Sequence, residues 1–128
     1  MNTLKTILLC VLFLIFGCSE ENELSPLQIK FKNTTPFSIE SILIGEQSIG
    51  TLHPNESTNY IAFDAFNFDT GLPDERCTGT IDDKPIESYN EFYWCGTQKN
   101  TVYEGIFEMN IHLVENEDNK IYLILKVE

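Results

Sequence analysis

From Leu27 onward apolar and polar residues alternate with a period of two, the spacing that sends successive side chains to opposite faces of a strand. Leu27, Ile29 and Phe31 alternate with Gln28, Lys30 and Lys32, and Asn33-Thr34-Thr35-Pro36 closes the run. Phe37 and Ile39 share one phase while Ile42 and Ile44 take the other, which calls for a bulge or kink near Glu40-Ser41. His53-Pro54-Asn55-Glu56 reads as a turn before the segment Thr58 to Phe63, and Ile81-Asp82-Asp83-Lys84-Pro85 reads as a hairpin. The clearest unit comes last. Phe107, Met109, Ile111 and Leu113 alternate with Glu108, Asn110 and His112; Glu115 to Asn119 turns the chain, and Ile121, Leu123, Leu125 and Val127 return in step. These eight apolar residues and the Leu27-Ile29-Phe31 face are expected to share one core. No stretch after Pro26 has a helical period, and no internal repeat is visible. The pattern predicts an all-β fold of roughly six to eight short strands, either an antiparallel β-sandwich or a small barrel.

The start of the chain is patterned differently. Ile7 to Phe16 is an unbroken apolar run preceded by Lys5. It falls short of the roughly 20 residues that span a bilayer and matches the apolar part of a secretory leader. It ends in Ile15-Phe16-Gly17-Cys18, which resembles the lipobox of bacterial lipoproteins. The resemblance implies a signal peptide over residues 1–17, acylation of the Cys18 thiol and cleavage before it. Residues 18–26 then form a lipidated tether and residues 27–128 a single domain. The tether, Ser19-Glu20-Glu21-Asn22-Glu23-Leu24-Ser25-Pro26, is similar to the surface-export signal of Bacteroidetes-type lipoproteins. Read from composition alone, it is a solvated acidic linker. The lipoprotein resemblance places the protein at the outer membrane, held by its acyl chains on the periplasmic or cell-surface face.

Removing 17 of 128 residues leaves 111, enough for one domain with a core. All acidic residues lie beyond Cys18 while Lys5 is lost, so the formal charge moves from −12 to −13. Such a surface repels phosphate backbones and argues against nucleic-acid binding. Cys10 leaves with the leader and Cys18 carries lipid. Cys77 and Cys95 remain as an even pair, expected to form a disulfide in an oxidising compartment. Within the domain, Asn33-Thr34-Thr35, Gly50 to Ser57 with Tyr60, and Gly105-Ile106-Phe107-Glu108-Met109-Asn110-Ile111 resemble small immunoglobulin-like and transthyretin-like sandwiches. That resemblance implies a fold and no particular activity.

Motifs for catalysis are missing from the sequence: no GxSxG surrounds a serine, and neither HExxH nor a glycine-rich phosphate loop occurs. The reading is therefore a non-enzyme without cofactor. Asp64, Asp69, Asp74 and Glu75, and separately Glu115, Glu117 and Asp118, crowd two loops, but neither has calcium-loop spacing, and solvated loops are the expectation. No metal site is assigned. Aromatic residues offer a better recognition surface. Phe66 and Phe68 in the connection from Ala65 to Arg76, and Tyr93 and Trp94 just before Cys95, are the candidate binding residues, with Phe63, Tyr89 and Phe92 near them. Together these readings describe a membrane-anchored, non-catalytic binding or accessory module for an envelope protein or glycan. The alternative is an inhibitor or immunity-type lipoprotein against a basic hydrolase.

Overall fold

The structure, a computed structural model, describes residues 26–89 and 98–128. The expected leader, the expected acylation site Cys18, the expected tether up to Ser25, and Phe92, Tyr93, Trp94 and Cys95 lie outside the described residues. Within them the fold is all-β. In chain order the strands are β1 (Leu27–Asn33), β2 (Ile39–Ile44), β3 (Gln47–Leu52), β4 (Ile61–Phe63), β5 (Phe66–Asp69) and β6 (Leu72–Pro73). There follow β7 (Cys77–Ile81), β8 (Lys84–Glu87), β9 (Lys99–Val102), β10 (Gly105–Glu115) and β11 (Ile121–Val127). They form three open sheets in the orders β11-β10-β1-β4, β3-β2-β7-β8 and β6-β5-β9. The sheets stack in the manner of a β-sandwich and do not close into a barrel.

Alternation decides which side of each strand is buried. Leu27, Ile29 and Phe31 of β1 meet Met109 and Ile111 of β10 and Leu123 and Leu125 of β11 in one cluster with Ile39, Ile42, Ile44, Leu52, Phe66, Phe68 and Cys77. Phe107 and Leu113 are half-buried against it. Ile121 and Val127, expected inside, are 53% and 43% exposed because the hairpin ends overrun the core. The β10–β11 pairing keeps the expected register, with Ile111 opposite Leu125 and Leu113 opposite Leu123.

The phase conflict in β2 is resolved by a register shift between Ile39 and Ile42, where Ser41 has φ 51°. Asp82 and Asp83, with φ 50° and 61°, make the two-residue turn between β7 and β8, the left-handed pair that a tight hairpin requires. Two further features depart from expectation. The segment after Ala65 is no loop: Phe66-Asn67-Phe68 alternates as β5, and Thr70-Gly71, both with positive φ, turn it back into β6. In addition, β1 runs parallel to β10 along its whole length, Leu27 opposite Gly105 through Asn33 opposite Ile111, so the first sheet is mixed.

Candidate functional site

The β10–β11 hairpin is longer than the core beneath it, and its turn carries the acidic cluster clear of the sheet. Asn116 organises that turn: its Oδ1 accepts from the backbone N–H of Asp118 at 3.0 Å and of Lys120 at 2.9 Å. Its own N–H donates to Lys120 O, and Asn119 adopts φ 57°. Glu117 and Asp118 are thereby held outward on a fixed turn.

Beside the turn, β8 continues past its end onto β11. Ser88 N–H donates to Cys77 O, Ser88 Oγ accepts from Cys77 N–H, and Tyr89 N–H donates to Leu123 O at 3.1 Å. This crossing laces the second sheet to the first. It also delivers Tyr89 against Tyr122, with ring centroids 5.0 Å apart and planes at 65°, an edge-to-face pair. The two tyrosines, Val114, Ile124, Asn116 and the acidic turn line an open groove of about 540 Å³. Tyr122 stands out of phase with Leu123 and Leu125, which is why it faces away from the core.

Chemically the groove combines aromatic faces with three carboxylates, those of Glu115, Glu117 and Asp118, none in an ion pair among the described residues. Ring faces and carboxylates both attract a cation, and a guanidinium or ammonium group gains from both at once.

The expected binding aromatics are placed elsewhere. Phe66 and Phe68, 0% and 7% exposed, do not face solvent, which corrects the expectation of a recognition surface there. Both point inward from β5 and join a string of rings, Phe31–Phe63–Phe66–Phe68–Phe107, with successive centroids 5.4–5.9 Å apart. Tyr93 and Trp94 lie outside the described residues. Of the sequence-selected residues, Tyr89 and the turn carboxylates come together; Tyr122 was missed, though its phase in β11 already marked it as outward.

Cys77 is fully buried, and no disulfide forms among the described residues, which exclude Cys95. Burial pushes its thiol up to about 12, so as a thiol it is protonated and unreactive. Of the other acidic loop, Glu75 Oε1 accepts from Asn67 N–H and Nδ2, and Asp74 lies 3.7 Å from Lys99 Nζ. Among the described residues no three His, Cys, Asp or Glu side chains converge as metal ligands, and no helix is long and apolar enough to cross a membrane.

On the outer face of the first sheet, the Glu108 carboxyl is held below its ordinary range by hydrogen bonding to Tyr60 and Glu128 and by the Lys30 charge. The Tyr60 hydroxyl is raised, chiefly because it donates to Glu108 at 2.6 Å. Comparison of the chain with protein-family models, with curated proteins and with solved structures finds no match to any of them.

Proposed function

We propose that this chain is a lipoprotein, anchored through acyl groups on Cys18, whose sandwich is a non-catalytic module binding a basic partner at the outer membrane. The observation that carries the binding role is the groove in which Tyr89 and Tyr122 meet the unpaired carboxylates of Glu115, Glu117 and Asp118. The net charge of −12 favours a cationic partner by steering its approach. The apolar leader ending in Gly17-Cys18 and the acidic stretch behind it support the anchor. A second reading, an inhibitor or immunity-type protein against a basic hydrolase, is favoured by the Asn116-braced turn, which presents Glu117 and Asp118 as a rigid acidic tip. The disulfide between Cys77 and Cys95 belongs to the same proposal. Such a bond would have to form at the buried Cys77 thiol.

The test is capture from envelope fractions with the full lipidated chain as bait, against a double variant Glu117→Lys, Asp118→Lys and a single variant Tyr122→Ala. Capture of a basic protein that weakens with salt and is lost in both variants supports the binding role. Equal capture by all three baits refutes the groove. Inhibition of a cationic hydrolase by the same chain selects the second reading.

A further inference from the structure

The first sheet fixes the point at which the N-terminal segment joins the domain. Because β1 runs parallel to β10, Leu27 lies opposite Gly105, and Gly105 N–H donates to Pro26 O at 2.9 Å. Tyr103 and Ile106 flank that junction in the chain. At 64% and 73% exposed, they are the two most exposed large apolar side chains among the described residues. Ile106 ends the outer face of the sheet in an uncharged row, paired with Gln28, which pairs in turn with Ala62. Single exposed apolar residues are ordinary on a protein surface. Here the two most exposed of them meet at the one place where the chain enters the domain. Glu104 lies between them in sequence, and Asp64 follows Phe63, the partner of Leu27, at the same end.

Chain length limits which side of the domain can meet a bilayer. Cys18 stands eight residues before Pro26. Fully drawn out, those residues keep an acylated Cys18 within about 28 Å of the junction. The 11 residues of β10 run away from that junction. At about 3.3 Å per residue, Glu115 lies about 33 Å from it, and the acidic tip is farther still. A domain inverted onto its tip would need more chain than is there. What remains is the junction end on the lipid, or the domain lying on one face. The outer face of the first sheet carries Lys30, Glu108 and Lys126, and the second sheet exposes Glu40 and the Arg76–Glu87 pair. Charged groups gain nothing from hydrocarbon, whereas a tyrosine sets an apolar ring and a polar tip at headgroup level, and an isoleucine adds apolar area beside it. We infer that the Tyr103–Ile106 end of the domain rests on the bilayer that holds the acyl chains, with the acidic hairpin tip directed away from the lipid. This rests on the lipoprotein reading proposed above and adds an orientation to it. Two side chains make a weak contact, but the anchor holds them beside the surface at high effective concentration. Glu104 and Asp64 border the pair, so the contact is apolar and suits a zwitterionic surface better than an anionic one.

The experiment is amide NMR of the full acylated chain in phosphatidylcholine nanodiscs, with and without a small fraction of lipid bearing a gadolinium chelate on its headgroup. Nearness to the bilayer is read as loss of signal. Amides of Tyr103, Glu104 and Ile106 should lose the most and those of Asn116 to Lys120 the least. Raising sodium chloride to about 0.5 M should leave that order unchanged, because the contact is not electrostatic. Tyr103→Ser combined with Ile106→Ser, both at exposed positions, should keep the folded spectrum and flatten the gradient between the two ends. Tyr122→Ala in the groove should leave the gradient as it is, which separates this surface from the proposed partner site. Mass spectrometry of the same sample reads the acyl chains on Cys18. Their absence would overturn the anchor reading, and the orientation would fall with it. With Cys18 acylated, three results would each overturn the orientation alone: equal loss at both ends, greatest loss along Lys30, Lys32 and Lys126, or an undiminished gradient in the double variant.

Discussion

Asn33 shows how a polar side chain earns a place in an apolar core. Fully buried at the end of β1, it donates from Nδ2 to Phe37 O at 2.7 Å and to Leu52 O at 2.9 Å. Its Oδ1 accepts from Thr35 N–H at 2.9 Å and from Thr35 Oγ1 at 2.7 Å. One side chain therefore closes the β1–β2 turn and fastens it to β3. Asn33→Ala removes all four bonds and strands buried carbonyls, so we expect a loss of about 2–4 kcal/mol in chemical denaturation. His112 makes the stability of the fold sensitive to pH. Burial and the Lys126 charge lower its pKa, and its ring Nδ1 lies 2.9 Å from Thr34 Oγ1. With the folded value below the unfolded one of about 6.5, the unfolded chain binds the proton first. Stability from this residue is full above that pH and is lost as pH falls toward the folded value. Denaturation midpoints of the wild type should fall between about pH 7 and 5.5, and His112→Gln should flatten that fall.

Elements were legible in the sequence to the degree that their pairing is local. The β10–β11 hairpin is written in two alternating runs of matched length, and the β2 bulge in the phase conflict between Ile39 and Ile42. The β5–β6 hairpin was missed because Asp64, Asp69 and Asp74 give its neighbourhood a loop-like composition, masking the alternation of Phe66 and Phe68. Those rings went with it, from proposed surface to core. The groove was half legible: the acidic turn and Tyr89 stood out, but only the crossing of β8 onto β11 brings Tyr122 to them. Sheet contacts also set tolerances that no pattern reveals. A Cβ on Gly79 of β7 would lie 2.8 Å from Ile39 Cγ2 and 3.1 Å from Glu40 O, beside the β2 bulge. Gly79→Ala should lower the urea midpoint by an equivalent of about 1–3 kcal/mol, with the slope unchanged.

For the molecule as a whole, charge dominates the surface. The formal net charge is −12, and the ion pairs among the described residues, Lys30–Glu108, Arg76–Glu87 and Lys99–Asp74, all involve solvent-accessible side chains worth little. Self-repulsion then outweighs attraction, and screening should stabilise the fold. Raising sodium chloride from about 0.01 to 0.5 M should increase Tm by about 2–5 °C in scanning calorimetry. A decrease would mean that the ion pairs matter more than the excess acid. The same screening should weaken capture of the proposed basic partner, so that stability and this proposed binding would respond to salt in opposite directions.

The parallel pairing of β1 with β10 gives the fold a direction in time. The first strand after Pro26 sits between β10 and β4, and β10 begins only at Gly105. A chain that emerges from a ribosome or an export channel with its N-terminus leading exposes Leu27, Ile29 and Phe31 long before their partners exist. Loop closure over that distance slows folding, as non-local strand pairing does in general. Until the last strands arrive the first sheet lacks the partner on one side of β1, while the second sheet, β3-β2-β7-β8, draws on earlier strands alone. Completion of the C-terminal hairpin is thus the step that gives β1 its parallel neighbour and closes the first sheet.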